Sequence, residues 1–245
     1  MSIPNIEFAQ WRDPAGMVSP FPDRNEITGN GLLYTAEAMI SLKEMGLLTE
    51  QEIKDYIALM ATCKVPGYEG LYNRSPLFLT QESIDDYSGL CAGYHLVGYY
   101  EGVEAILDYG KKNWFNYNNI NPGKITASSW LIRFPQLIAQ MYMCANKRVP
   151  FFLACYYILE RLFTTYVSIR KGNRIHDFVL VGLMKSYSAR SYNKSSRIMN
   201  WLIQKTSYLF NKRVLQFYPE GYGQAFGDYC KIYEHPLTKY LPKSI

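Results

Sequence analysis

From residue 32 onward the apolar positions recur at helical rather than strand spacing. The segment LLYTAEAMISLKEMG is apolar on most sides and ends at Gly46, a residue suited to close a helix in the left-handed conformation. Thr49 followed by Glu50-Gln51-Glu52 has the form of a capping box and predicts a helix over 50–63. Helical spacing continues over 83–97 and about 100–112. It resumes over 126–145, 150–170, 175–189, 195–217 and 222–232. Glycine- and proline-bearing loops separate these runs, and long alternating β-branched runs are missing. The expected fold is all-α: roughly nine helices in antiparallel pairs.

Residues 1–31 behave differently. The stretch 13–31, DPAGMVSPFPDRNEITGNG, disfavours both helix interiors and central strands through its prolines and glycines. It reads as an extended arm, or a layer of loops, ahead of a single helical domain over 32–245.

Two helical segments raise chemical questions. In TQESIDDYSGLCAGYHL, Asp85 and Asp86 form an acidic pair. With Ser83 as N-cap they occupy the second and third helical positions, where carboxylates complement the helix dipole. They point 100° apart, which argues against a simple acid–base pair. Asp86 shares its face with Gly89 and Gly93. Two glycines there admit a close neighbour, either a packed helix or a ligand. Glu37 is a further candidate acid, on a stripe with Ser41 and Glu44 that fits a solvated face. In 149–169, VPFFLACYYILERLFTTYVSI, the length suffices for a membrane span. Glu160 and Arg161 at its centre favour a buried helix or one lying against an interface.

The net charge of +5 conceals a division. Residues 1–108 carry 6 Lys/Arg against 16 Asp/Glu (6 − 16 = −10), and residues 109–218 carry 17 against 2 (17 − 2 = +15). An acidic half and a basic half suit mutual contact, head-to-tail copies, nucleic acid or an anionic surface. The basic candidates are Arg170, Lys171, Arg174, Lys194, Arg197, Lys205, Lys212 and Arg213, several of them on an amphipathic final helix. The five cysteines form no CxxC and indicate a reducing compartment at synthesis. No signal-peptide pattern opens the chain. The three histidines lack zinc-ligand or triad spacing, so no metal or cofactor is expected.

The loop WFNYNNINPGK combines aromatics and amides as sugar sites do. Trp114, Tyr117, Asn118 and Asn119 are its binding candidates, with Asx turns packed on the core as the alternative. Asp23, Arg24, Asn25 and Asn30 in the arm are similar in kind, and equally suited to fixing loop geometry.

The strings RNEITGNGLLYTAEAMISL, SIDDYSGL, YNNINPGK with SSWLIRFPQLIAQ, and YGQAFGDYCKIYEHPLTKY resemble a protein family of tailed bacteriophages, over about residues 12–240. That family has no agreed activity. The resemblance implies a phage origin and a place in the virion, reached after synthesis in the host cytoplasm. A fold-level likeness to helical toroid enzymes acting on polysaccharides is weaker, and a full toroid needs a longer chain. Three readings follow. The first is a structural or interaction protein of virion or tail, joining other virion proteins or its own copies through charge-complementary surfaces. The second is a helical glycan hydrolase or lyase acting on host-surface polysaccharide, with Asp86 as acid or base and Asp85 or Glu37 as its partner. The third is non-specific binding of nucleic acid or anionic membrane by the basic half.

Overall fold

The computed structural model describes residues 11–19, 29–44, 46–77, 83–118, 120, 122, 129–171, 182, 184–186, 188–190 and 192–215. The fold is all-α. Eight helices have described bounds: α1 Gly31–Glu44, α2 Glu50–Ala61, α3 Ile84–Leu96, α4 Tyr100–Lys112, α5 Trp130–Arg133, α6 Pro135–Cys144, α7 Phe151–Lys171 and α8 Arg197–Leu215. Residues 182–189 contribute further helical positions among those described. The expected helix at 222–232 lies outside the described residues.

Local chemistry sets the boundaries. Gly46 takes a φ of 68°, and Leu47 N–H donates to Leu42 O at 2.9 Å, closing α1. Thr49 and Glu52 form the reciprocal capping box: Thr49 N–H donates to the Glu52 carboxylate and Glu52 N–H to the Thr49 hydroxyl. The single helix expected over 126–145 is interrupted. Pro135 forces Phe134 out of helical geometry (φ −140°, ψ 51°), so α5 ends there and α6 starts with proline in its first turn.

α3 is the central helix. It packs against α1, α4 and α6, and every residue from Asp86 to Tyr94 is buried. Gly89 and Gly93 face α1: a Cβ on Gly89 would stand 3.2 Å from Leu33 Cδ1, and one on Gly93 would stand 2.8 Å from Met39 Cε. Tight helix packing therefore occupies the space the glycines open. On the far side Ser88 donates to Gln140 Oε1 at 2.7 Å, while Cys144 Sγ lies 3.0 Å from Ser188 Oγ, fastening α3 and α6 to the 182–190 segment.

Residues 11–19 do not extend. Arg12 and Val18 bridge, Trp11, Met17 and Val18 are buried, and Val18 N–H donates to Thr35 Oγ1 at 3.0 Å. This part of the expected arm is a layer of the core. From α6 the chain passes to α7, which packs on α6 and α8. Among the described residues, no helix is long and apolar enough to cross a membrane.

Candidate functional site

The acidic pair is divided between two environments. Ser83 caps α3 as its sequence position predicts, its hydroxyl accepting from Asp86 N–H at 3.4 Å. The Asp86 side chain leaves its own helix. Oδ1 accepts Leu33 N–H in the first turn of α1 at 2.8 Å, and Oδ2 pairs with Arg74 Nε at 3.2 Å. Arg74 also donates to Asn30 Oδ1, and its carbonyl accepts Leu32 N–H at 3.0 Å. Asp86 thus serves α1 as an N-cap supplied from another helix. Burial pushes its carboxyl up to about 6, against the opposing pull of Arg74 and the donors.

This geometry corrects the acid–base assignment. Asp86 is 1% exposed and fully engaged, so it lacks the hydrogen-bond reach to a substrate that general acid–base work requires. Asp85 is half-buried. Glu37 is also corrected: with Ser41 it is buried inside α1 rather than standing on a solvated face.

The expected sugar platform is divided too. Trp114 is 64% exposed at a φ of 53°, and Phe115 follows at 54°. Tyr117 is sealed inside. Its hydroxyl donates to Ile106 O at 2.8 Å, and its ring lies 4.5 Å from Trp130 and 4.9 Å from Tyr87. Trp114 and Tyr117 therefore cannot stack on one sugar. Asn118 Oδ1 accepts Ile120 N–H at 3.0 Å and Asn118 N–H donates to Asn116 Oδ1 at 3.1 Å, an Asx-turn arrangement that fixes the loop. Asn119, Asp23, Arg24 and Asn25 lie outside the described residues.

At the other end of the molecule, α7 resolves the charges at the centre of its apolar run by turning them inward. Arg161 is 1% exposed. It pairs with Glu160 at 2.6 Å, donates to Gly182 O at 2.7 Å, and stacks over Phe210 at 4.7 Å. Lys185 joins Glu160 at 3.4 Å. Burial pushes the Glu160 carboxyl up, but Arg161 and Lys185 outweigh it and hold the group below the ordinary glutamate range. Burial likewise holds the Lys185 ammonium below the ordinary lysine range, against the pull of Glu160.

With its charges inside, α7 turns an apolar surface outward. Phe151, Phe152, Tyr156, Leu159, Leu162, Phe163 and Tyr166 are between 44% and 74% exposed. They lie opposite the buried Leu153, Ala154, Tyr157, Arg161 and Thr164. A helix apolar on all sides ordinarily lies in a core, and a contiguous exposed patch of this kind marks an interaction site. The sequence leaves a buried helix and one lying against an interface as alternatives, and the pattern does not tell them apart.

The neighbouring α8 differs. Arg197, Trp201, Lys205, Tyr208 and Lys212 recur at helical spacing on its exposed face, and Lys205 Nζ lies 5.5 Å over the Tyr208 ring. Lys194 is exposed just ahead of the helix and Arg213 is half-buried. Arg170 and Lys171 belong to the last turn of α7, but their side chains, like all of Arg174, lie outside what is described. Where α7 and α8 begin, Arg148, Pro150, Phe151, Ser195, Ser196 and Met199 line a cavity of about 360 Å³. No group of three metal-ligating side chains occurs among the described residues. No family model matches the chain, and no curated protein or solved structure is significantly similar to it.

Proposed function

We propose that this is a structural or interaction protein that works by docking through the outward face of α7. The carrying observation is the row Phe151, Phe152, Tyr156, Leu159, Leu162, Phe163 and Tyr166, apolar and exposed on a helix whose opposite face is already in the core. The resemblance to tailed-phage proteins suggests the setting, a virion or tail-associated component. The charge division remains a means of orienting such contacts, since complementary potentials steer encounters and fix register. The apolar face supplies the contact area.

The α8 row favours a second reading. Arg197, Lys205 and Lys212 alternate with Trp201 and Tyr208, a composition suited to the surface of an anionic membrane.

The variant Leu159→Glu/Phe163→Glu tests the main reading. Self-association by light scattering and co-sedimentation with vesicles containing anionic lipid are measured for it and the parent protein. Docking through α7 predicts that the substitutions abolish at least one of the two. Equal behaviour in both assays would overturn the reading. Vesicle binding that survives the α7 substitutions but falls with added salt would shift the function to α8.

A further inference from the structure

We infer that the occupant of the α7 face is a second copy of this chain, docked by a two-fold antiparallel contact of α7 on α7. The inference rests on the docking reading above and names its partner.

Three observations favour a second copy. The first is area. Seven large side chains, each roughly half to three-quarters exposed, offer about 100 Å² apiece. That gives roughly 700 Å² per copy, close to the ~800 Å² each partner buries in a standard stable interface. The second is charge. Between Phe151 and Tyr166 the only ionisable side chains besides tyrosine and cysteine are Glu160 and Arg161. They pair with each other at 2.6 Å, with Arg161 sealed in the core. Over this row the face therefore meets itself without like-charge repulsion. The third is complementarity. Among the described residues of the acidic half, the exposed large apolar side chains Tyr68, Leu77 and Tyr100 belong to separate segments. A contact of α7 with the acidic half of another copy would give its row no matching row among the described residues, whereas a two-fold contact is self-complementary.

The symmetry sets a register. An antiparallel contact centred on Leu159 places Leu159 against its own copy, Tyr156 opposite Leu162, and Phe152 opposite Tyr166. Only a residue near the axis meets itself.

The test uses the full chain. Leu159→Cys, in a Cys155→Ser/Cys230→Ser background, is mildly oxidised and run under non-reducing conditions. Trp114→Cys in the same background is the control. The two-fold contact predicts a disulfide-linked dimer for Leu159→Cys and none for Trp114→Cys. It also predicts a dimeric mass by light scattering for the parent, falling to monomer in Leu159→Glu/Phe163→Glu. A parent that stays monomeric at 100-fold increasing concentration, yet binds anionic vesicles only while the α7 face is intact, would overturn the second copy and leave the docking reading standing. A monomer whose vesicle binding is absent or indifferent to the α7 substitutions would overturn both.

Discussion

Helices α3 and α7 are both apolar on nearly every side, and both carry charge within that surface, but only α3 is covered. Its neighbours α1, α4 and α6 bury every residue from Asp86 to Tyr94. α7 has α6 and α8 on one side and the row from Phe151 to Tyr166 exposed on the other. In α3 the charge fastens two helices, because Asp86 caps α1. In α7 the charges are drawn inward to Gly182 and Lys185, which leaves the outer face uncharged. The difference separates stability from function. What is apolar and covered holds the fold; what is apolar and uncovered is the surface we propose for docking.

Removing the inward charge of α7 carries the largest expected effect. Arg161→Ala leaves Glu160 with Lys185 as its remaining ion-pair partner and removes the contact to Gly182, and a broken buried pair costs about 3–5 kcal/mol. Urea denaturation measures it, and a loss under 1 kcal/mol would show that the pair is dispensable.

Asp86 sharpens the same contrast through pH. Its folded carboxyl is raised from 3.8 to about 6, so the fold holds this proton more tightly than the unfolded chain does. Its contribution is fully present below 3.8 and is lost as pH rises through about 6, a swing of about 3 kcal/mol. Asp86→Asn keeps an acceptor for Leu33 N–H and lacks the swing. Comparing denaturation midpoints of the two proteins between pH 4 and 7 isolates it, and parallel curves would contradict it. Asp86→Ala leaves Leu33 N–H and Arg74 without this partner and costs about 2 kcal/mol at pH 7.

Closing the space between α1 and α3 has a smaller effect. Gly89→Leu drives a side chain into Leu33 and Ala36 and costs about 2 kcal/mol by overpacking. Thermal denaturation checks it, and an unchanged midpoint would mean that α1 yields freely.

The smallest effect on stability belongs to the uncovered face. Leu159→Glu should leave the denaturation midpoint of the monomer within about 0.5 kcal/mol of the parent. A larger loss would show that the face is structural.

The legible parts of the molecule were local. Gly46, the Thr49–Glu52 box and the Ser83 cap all act within a few residues of themselves, so the end of α1 and the starts of α2 and α3 are readable. Pro135 carried a boundary signal inside the apolar periodicity of 126–145, and the periodicity masked it. The role of Asp86 was not legible, since its partner Leu33 lies 53 residues away and is a backbone N–H. The sequence pattern of 149–169 likewise gave no means of telling a covered apolar helix from an uncovered one, because exposure depends on which neighbours arrive. Tyr117 failed as a sugar platform for the same reason. Its loop suits either a sugar site or Asx turns packed on the core, and the fold places its ring in the aromatic core with Tyr87 and Trp130.

Hydroxyl-radical footprinting of the purified protein over a wide concentration range tests the α7 contact most directly. A two-fold seam predicts that labelling of Phe152, Tyr156, Phe163 and Tyr166 falls as concentration rises, while Trp114 is labelled equally throughout. Undiminished labelling of the α7 row at every concentration would contradict it.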